Sequence, residues 1–281
     1  KKLKEMEAAR GRKSTNRQQV IEELRFLATK AVTPVVMLKV KTTLVSALND
    51  LTLNTMQYQP VEPWKEVVAT LLDMVELLDK NPDVRLTEDE DVKEAFDEDD
   101  MNAMTLESLL ESEEQQEKKL EAERAKRALE MEAAGGPGIQ HVKGNLFSFV
   151  QRCCTEFKSS LQHMSDPHQP DHVEKLSEYI ARLKDEAVLL KLVTVTQAYY
   201  EKSQKLVFQR HTALLRLELI YYHYHSASDV LANEGKEKKD AKETPEDATI
   251  SQLAHFLYRN GEDFEKTRAL LYHVYYLAHH N

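Results

Sequence analysis

Apolar side chains recur every three or four residues along most of this chain, and this spacing limits the possible folds more than any other feature. In one segment, for example, Val67, Leu71, Val75 and Leu78 fall on a single helical face. Strands need β-branched runs bounded by turn clusters, and such runs are scarce among these 281 residues, of which 7 are glycine and 8 are proline. The pattern therefore predicts an all-α protein.

Capping and helix-breaking residues divide this pattern into successive helices. Helices are predicted over 15–31, 34–48, 63–81, 145–163, 171–200, 204–225, 250–259 and 264–280. A kink is expected near Glu186, and Val36 and Leu48 are expected in the core of the second helix. Helix pairs joined by short turns are typical of an α-solenoid, so we expect a stack of antiparallel pairs with an acidic helical insertion.

Charge is distributed unevenly along the chain, although the total is −10. Residues 87–133 hold 18 acidic and 6 basic side chains, whereas residues 1–43 hold 11 basic and 4 acidic ones. Together with the helix pattern, this distribution predicts three parts. The first is a set of N-terminal helical repeats with a basic loop over 1–86, and the last is a set of C-terminal helical repeats over 139–281. Between them, 87–138 is predicted to be an acidic insertion, a linker plus a long solvated helix.

A short basic loop separates two predicted helices near the start of the chain. It carries Arg10, Arg12 and Lys13, and Arg17 follows at the beginning of the next helix. Cations near a helix end often contact nothing specific, but cations this concentrated favour an anionic partner. Phosphate suits both arginine forks and the free amides at a helix start, so the loop is predicted to bind RNA.

The sequence contains no nucleotide-binding loop and no catalytic constellation, so neither an enzyme nor a cofactor is expected. His168 and His172 are four residues apart, but no third ligand accompanies them, and solvated histidines are expected instead of a metal site. Cys153 and Cys154 lie in an apolar helical run, which predicts buried thiols and a reducing compartment. No membrane span or signal peptide is visible.

Two further patterns leave alternatives open. The tyrosines and histidines at 221–225 and 272–280 could stack on nucleobases, but helix-to-helix packing is the preferred interpretation. The acidic insertion could mimic nucleic acid or bind a basic partner, but a solvated segment is the preferred interpretation there.

Several stretches, taken in order, resemble the c-subunit of eukaryotic translation initiation factor 3. They are residues 9–17 with the amphipathic helix that follows, 40–48, 64–82, 166–187 and 267–276. The resemblance covers 1–83 and 139–281, and the acidic insertion departs from it. It implies the helical-repeat part of a PCI-type subunit, without the C-terminal winged helix and the N-terminal tail.

The resemblance also implies a function. The chain would be part of a cytoplasmic, non-enzymatic scaffold that assembles the factor core and docks it on the small (40S) ribosomal subunit. Arg10, Gly11, Arg12 and Lys13 match an Arg-Gly-Lys-Lys turn that lies against ribosomal RNA in this family. The implied partners are the other factor subunits, especially the a-subunit, ribosomal proteins and RNA, and other initiation factors. The alternative is a helical-repeat subunit of the proteasome lid or the signalosome, with no RNA contact.

Overall fold

The chain is mostly helical, as predicted. The computed structural model describes Leu3 and residues 17–50, 58–87, 140–165, 172–223 and 245–280. Its helices are α1 (Arg17–Lys30), α2 (Pro34–Asp50), α3 (Val61–Lys80), α4 (Leu146–Ser165), α5 (His172–Leu183), α6 (Glu186–Lys202), α7 (Leu206–Ile220), α8 (Pro245–Asn260) and α9 (Asp263–His280). Two short strands, β1 (Val84–Thr87) and β2 (Gln140–Lys143), were not predicted and correct the purely helical expectation.

The chain separates into two compact units. Unit 1 comprises Lys1–Ala47 and Glu76–Ser148, and unit 2 comprises Leu48–Val75 and Phe149–Asn281. The three-part division at residues 86 and 138 stays a prediction, because residues 88–139 lie outside the described part of the chain.

A two-stranded parallel ribbon is the distinctive feature of unit 1. β1 and β2 pair in register from Val84 opposite Gln140 to Thr87 opposite Lys143. One face of the ribbon is buried through Val84, Leu86 and Val142. Short strands with a single buried face are stable only when that face packs on other elements, so the ribbon depends on its surroundings in unit 1.

Consecutive helices pack on one another in unit 2. α7 packs against α6, α8 and α9, and α8 packs against α9. The turn between α8 and α9 needs Gly261, because a Cβ atom there would lie 2.5 Å from the Leu257 carbonyl oxygen. Trp64, Tyr200 and Phe157 are among the largest fully buried side chains. Close packing of such residues supplies most of the stabilisation of a helical core.

Local signals account for several helix ends. Pro34 begins α2, where the Met37 amide donates to the Thr33 carbonyl at 2.9 Å. At the start of α4 the Ser148 amide donates to Asn145 Oδ1 at 3.0 Å, a side-chain N-cap. The connection from α6 to α7 places Gln204 at φ 55°, a left-handed conformation that usually selects glycine.

Some boundaries and burials differ from the predictions. The long helix predicted over 171–200 is broken at Lys184 and Asp185, close to the expected kink, into α5 and α6. α3 begins at Val61 instead of Pro63, and α8 begins at Pro245, within a stretch predicted as loop. Leu48 is buried as predicted, but Val36 is 45% exposed. The prediction that Val36 is buried was wrong because the first turn of α2 contains no buried residue, and burial begins at Leu38.

Candidate RNA interface and buried ion-pair clusters

The predicted RNA-binding residues are only partly within the described chain. Arg10, Arg12 and Lys13 lie outside it, and Arg17 is the first residue of α1 and is exposed. Arg17 also interacts within the chain. The basic loop is therefore continuous with the N-terminus of a defined helix, the end at which the amides carry a partial positive charge.

Two buried side chains hold α1 in place. Ile21 and Leu24 are 3% and 0% exposed, one and two turns after Arg17. Both project to the same face of the helix, and the remaining side chains of α1 are exposed or half-buried. Burial of α1 thus begins in its second turn, directly after the exposed turn that follows the basic loop in the sequence.

The two units differ in the charge of their described residues. Those of unit 1 include 8 lysines and arginines against 5 acidic residues, whereas those of unit 2 include 14 against 16. The excess of positive charge lies in residues 1–43, whereas unit 1 as a whole also includes the acidic stretch 87–133. Local charge of this kind, more than the total of the chain, steers an anionic partner.

An arginine that sequence analysis did not identify organises part of unit 2. The guanidinium of Arg182 lies 3.8 Å from the ring centroid of Trp64 and 5.0 Å from that of Phe157. Its Nε donates to Ser160 Oγ at 3.1 Å, and Nη1 donates to Asp185 Oδ2 at 3.0 Å. Planar guanidinium groups stack on aromatic faces, so α5 is held to α3 and α4 by this side chain.

Electrostatics and hydrogen bonds reinforce the Arg182 cluster. Burial lowers the pKa of Arg182 below its ordinary value, and the hydrogen bond and charge of Asp185 oppose this effect. Asp185 also lies 3.4 Å from Lys65 Nζ. The Trp64 indole donates to the Cys153 carbonyl at 3.0 Å and is thereby fixed in orientation. The cluster leaves no chemically reactive group accessible, and its role is structural.

A second ionic cluster fixes the turn between α8 and α9. Arg210 of α7 donates to the Asn260 carbonyl and to the Glu262 carboxylate, both at 3.0 Å. Its Nε lies 3.6 Å from Glu265, whose other oxygen lies 3.3 Å from His211 Nε2. Glu265 also accepts from the Glu262 amide at 2.8 Å, which is the geometry of a capping box.

The protonation of His211 should make stability depend on pH. Burial, followed by the charge of Arg210, lowers the pKa of His211 from 6.5 to about 4. Between pH 4 and 6.5 the unfolded chain binds more protons than the folded one. Neutral His211 therefore makes its full contribution to the free energy of unfolding above pH 6.5, and this contribution falls as the pH drops. We expect the melting temperature of the wild type to fall more steeply across this window than that of His211→Gln.

Thermal denaturation of both proteins at several pH values measures this difference. Groups far from His211 titrate alike in the two proteins and cancel in the comparison, whereas Glu265, 3.3 Å from His211 Nε2, is coupled to it. Parallel pH profiles would show that His211 does not titrate in this way.

The cysteines are buried, as predicted. Cys153 and Cys154 are free thiols that are 1% and 2% exposed. Burial raises the pKa of both groups, that of Cys154 to about 12. Thiolate is the reactive form of cysteine, so neither residue is activated as a nucleophile.

The tyrosines pack on neighbouring aromatic rings, in agreement with the preferred interpretation. The ring of Tyr221 stacks on Tyr272 with centroids 4.5 Å apart and meets Tyr275 edge-on at 5.3 Å. Tyr222 donates a hydrogen bond to Glu186, and burial together with this bond raises the pKa of Tyr222. These contacts join the end of α7 to α6 and α9.

The described residues provide no metal site and no membrane span. No group of three or more histidine, cysteine or acidic side chains converges among them. The side chains of the predicted solvated pair His168 and His172 lie outside the described set. Within the same set, every helix is too short or too polar to cross a bilayer.

Comparison with known proteins connects the chain to one family. Residues 1–281 match the family model described as "Eukaryotic translation initiation factor 3 subunit 8 N-terminus". Among similar proteins is the C-subunit of eukaryotic translation initiation factor 3 from Schizosaccharomyces pombe, which is 31% identical over 100% of this chain and 28% of its own length. The C-subunits of this factor from Emericella nidulans and Saccharomyces cerevisiae are each 27% identical, over 100% and 96% of this chain.

The match extends over the whole of this chain but under a third of those relatives, of which it covers 28% to 30%. The bounds of the match to the family model, residues 1–281, include the acidic stretch. The family is that of a translation initiation factor subunit and not of an enzyme. The chain belongs to the C-subunit family of eukaryotic translation initiation factor 3.

Proposed function

We propose that this chain docks initiation factor 3 on the small ribosomal subunit through its basic loop. Arg10, Arg12, Lys13 and Arg17 neutralise phosphates of ribosomal RNA. Such contacts position a protein on an RNA backbone and read no base sequence. The observation that carries the proposal is the position of the loop, which leads directly into the N-terminus of the anchored helix α1.

The anchoring of α1 supports this role in a specific way. A flexible cationic segment loses conformational entropy when it binds, whereas a loop attached to a fixed helix loses less. Ile21 and Leu24 supply the attachment through their burial. Arg17, at the first position of α1, is exposed and adds a further positive charge at this end of the helix.

Replacement of Arg12 and Lys13 by alanine tests the proposal. The full-length protein, assembled into the factor, is titrated with purified 40S subunits at several salt concentrations. Loss of two phosphate contacts should weaken binding and reduce the slope of log affinity against log salt by about one to two. The control is Lys184→Ala with Lys191→Ala, which removes the same charge from exposed positions of unit 2.

Equal salt slopes for the loop variant and the control variant would remove RNA docking from the loop. The chain would then be a scaffold without RNA contact, as in the proteasome-lid and signalosome alternative. Family membership favours the translation factor over those two assemblies.

The wider arrangement belongs to the same proposal. The chain forms part of an α-solenoid of a PCI-type subunit, and the consecutive packing of α6, α7, α8 and α9 is consistent with this. It acts in the cytoplasm with the other factor subunits, the a-subunit in particular, and with ribosomal proteins and other initiation factors. The parts over 1–86, 87–138 and 139–281 serve as basic repeats, acidic insertion and C-terminal repeats.

A further inference from the structure

The ribbon of unit 1 has one face that is polar and cationic. Arg85 of β1 and His141 and Lys143 of β2 are exposed, while Leu86 and Val142 on the opposite face are buried. This division follows from the alternation of side chains along a strand. The ribbon, with four residues in each strand, therefore has a buried apolar face and an exposed face that carries one guanidinium, one imidazole and one ammonium group.

Strand register places these groups close together. Arg85 is the direct partner of His141, and Thr87 is the direct partner of Lys143. Paired strands lie about 4.8 Å apart, and alternate residues along a strand are about 6.6 Å apart. The backbone pairing therefore holds the four side chains as a compact square on one face, in which Thr87 contributes a hydroxyl.

Contacts at the end of β2 fix the ribbon against α2. A Cβ atom at Gly144 would lie 3.0 Å from Thr42 Cγ2, so the backbone after Lys143 passes close to α2. Lys39 lies almost one turn before Thr42 and is also exposed. The acidic residue nearest to the ribbon in the described sequence is Asp83, directly before β1. Among the described residues, the outward face of the ribbon therefore carries basic groups and no acidic one, and the acidic residues 88–91 follow β1 directly in the sequence.

We propose that this face, formed by Arg85, His141, Lys143 and Thr87, is a second contact for RNA backbone phosphates. The inference rests on the proposed function, because it gives the RNA a second point of attachment on unit 1. The face carries no large apolar side chain. Protein partners usually bury an apolar anchor at the centre of an interface, whereas phosphates require only donors and positive charge.

The variant Arg85→Gln with Lys143→Gln tests the ribbon directly. Both side chains are exposed, and glutamine keeps their polarity, so thermal unfolding should be unchanged. Binding of a fluorescent single-stranded RNA and a short RNA duplex to the full-length protein is measured at several salt concentrations. We expect the affinity to fall several-fold and the salt slope to decrease by about one to two.

The matched control is Lys184→Gln with Lys191→Gln, two exposed lysines of unit 2. A salt slope for the ribbon variant equal to that of the control would overturn the inference. Zero-length crosslinks from Lys143 to carboxylates of residues 88–100 that persist at saturating RNA would also overturn it. They would show that the acidic segment of the chain occupies this face.

The proposals for the ribbon and for the loop can be rejected independently. The variant Arg12→Ala with Lys13→Ala is measured on the same RNAs. If the loop variant binds RNA more weakly while the ribbon variant binds as well as its control, only the proposal for the ribbon is rejected. The reverse result rejects the loop and supports the ribbon.

Discussion

Replacing Arg182 by alanine should lower the free energy of unfolding by about 3 to 5 kcal/mol, the cost of breaking a buried ion pair from one side. The change removes the guanidinium that lies against Trp64 and Phe157 and leaves Asp185 with Lys65 as a cationic partner. It also leaves an unfilled space beside the two aromatic rings. Urea denaturation, followed by the fluorescence of the single tryptophan, measures the loss.

Lys184→Ala is the control for this prediction. Lys184 is exposed and lies two residues from Arg182, so its replacement should change the free energy of unfolding by less than about 0.5 kcal/mol. The loss for Arg182→Met should fall between those of the two alanine variants, because methionine fills the space beside the rings but does not pair with Asp185. Equal losses for the two alanine variants would contradict a central role of Arg182.

Replacing Glu265 by alanine should lower the free energy of unfolding by about 3 kcal/mol, because both an ion pair and a helix cap are lost. The carboxylate is 5% exposed, faces Arg210 and His211, and accepts the Glu262 amide at the start of α9. Its loss leaves a buried arginine with one charged partner fewer and removes a helix cap. Thermal and urea denaturation measure the effect, and hydrogen exchange in the first turn of α9 reports the loss of the cap.

Glu262 provides a matched comparison, since it also pairs with Arg210 but its side chain is 71% exposed. Exposed ion pairs contribute little, so Glu262→Ala should cost less than about 1 kcal/mol. A loss for Glu262→Ala as large as that for Glu265→Ala would show that burial does not decide the strength of these pairs.

Helix α5 shows why periodicity predicted the helices better than the core. Its sequence places Leu176, Ile180 and Leu183 on one face, which the usual rule would bury. All three are exposed in the structure, and Arg182 is buried instead. Two aromatic rings from distant parts of unit 2, together with the nearby carboxylate of Asp185, make this burial favourable, and a local pattern does not contain the rings.

The strands were missed for a similar reason. Gln140, His141 and Lys143 have little strand preference, and β2 contains one apolar residue among four. The pairing of β2 with β1 joins segments separated by 52 residues of sequence, a relation that no window along the chain can reveal. The cations of the ribbon consequently became a candidate site only when the register was known.

The basic loop is the opposite case, because its residues are adjacent in the sequence. Arg10, Arg12 and Lys13 are recognisable from composition and from the family resemblance alone. The anchoring of the following helix depends on the burial of Ile21 and Leu24, whereas the apolar Phe26 of the same helix is 59% exposed. Sequence is thus informative where charge is local, and less so where burial depends on distant segments.

The ribbon also has a consequence for synthesis and for evolution. Parallel strands cannot form a hairpin, so β1 must wait for all 52 intervening residues to leave the ribosome before β2 can pair with it. The length of the segment between the strands has little effect on stability, because doubling the length of a loop costs only about 0.6 kcal/mol of closure entropy. Selection can therefore lengthen or shorten this segment at little cost in stability, provided that the eight residues of the ribbon keep their register.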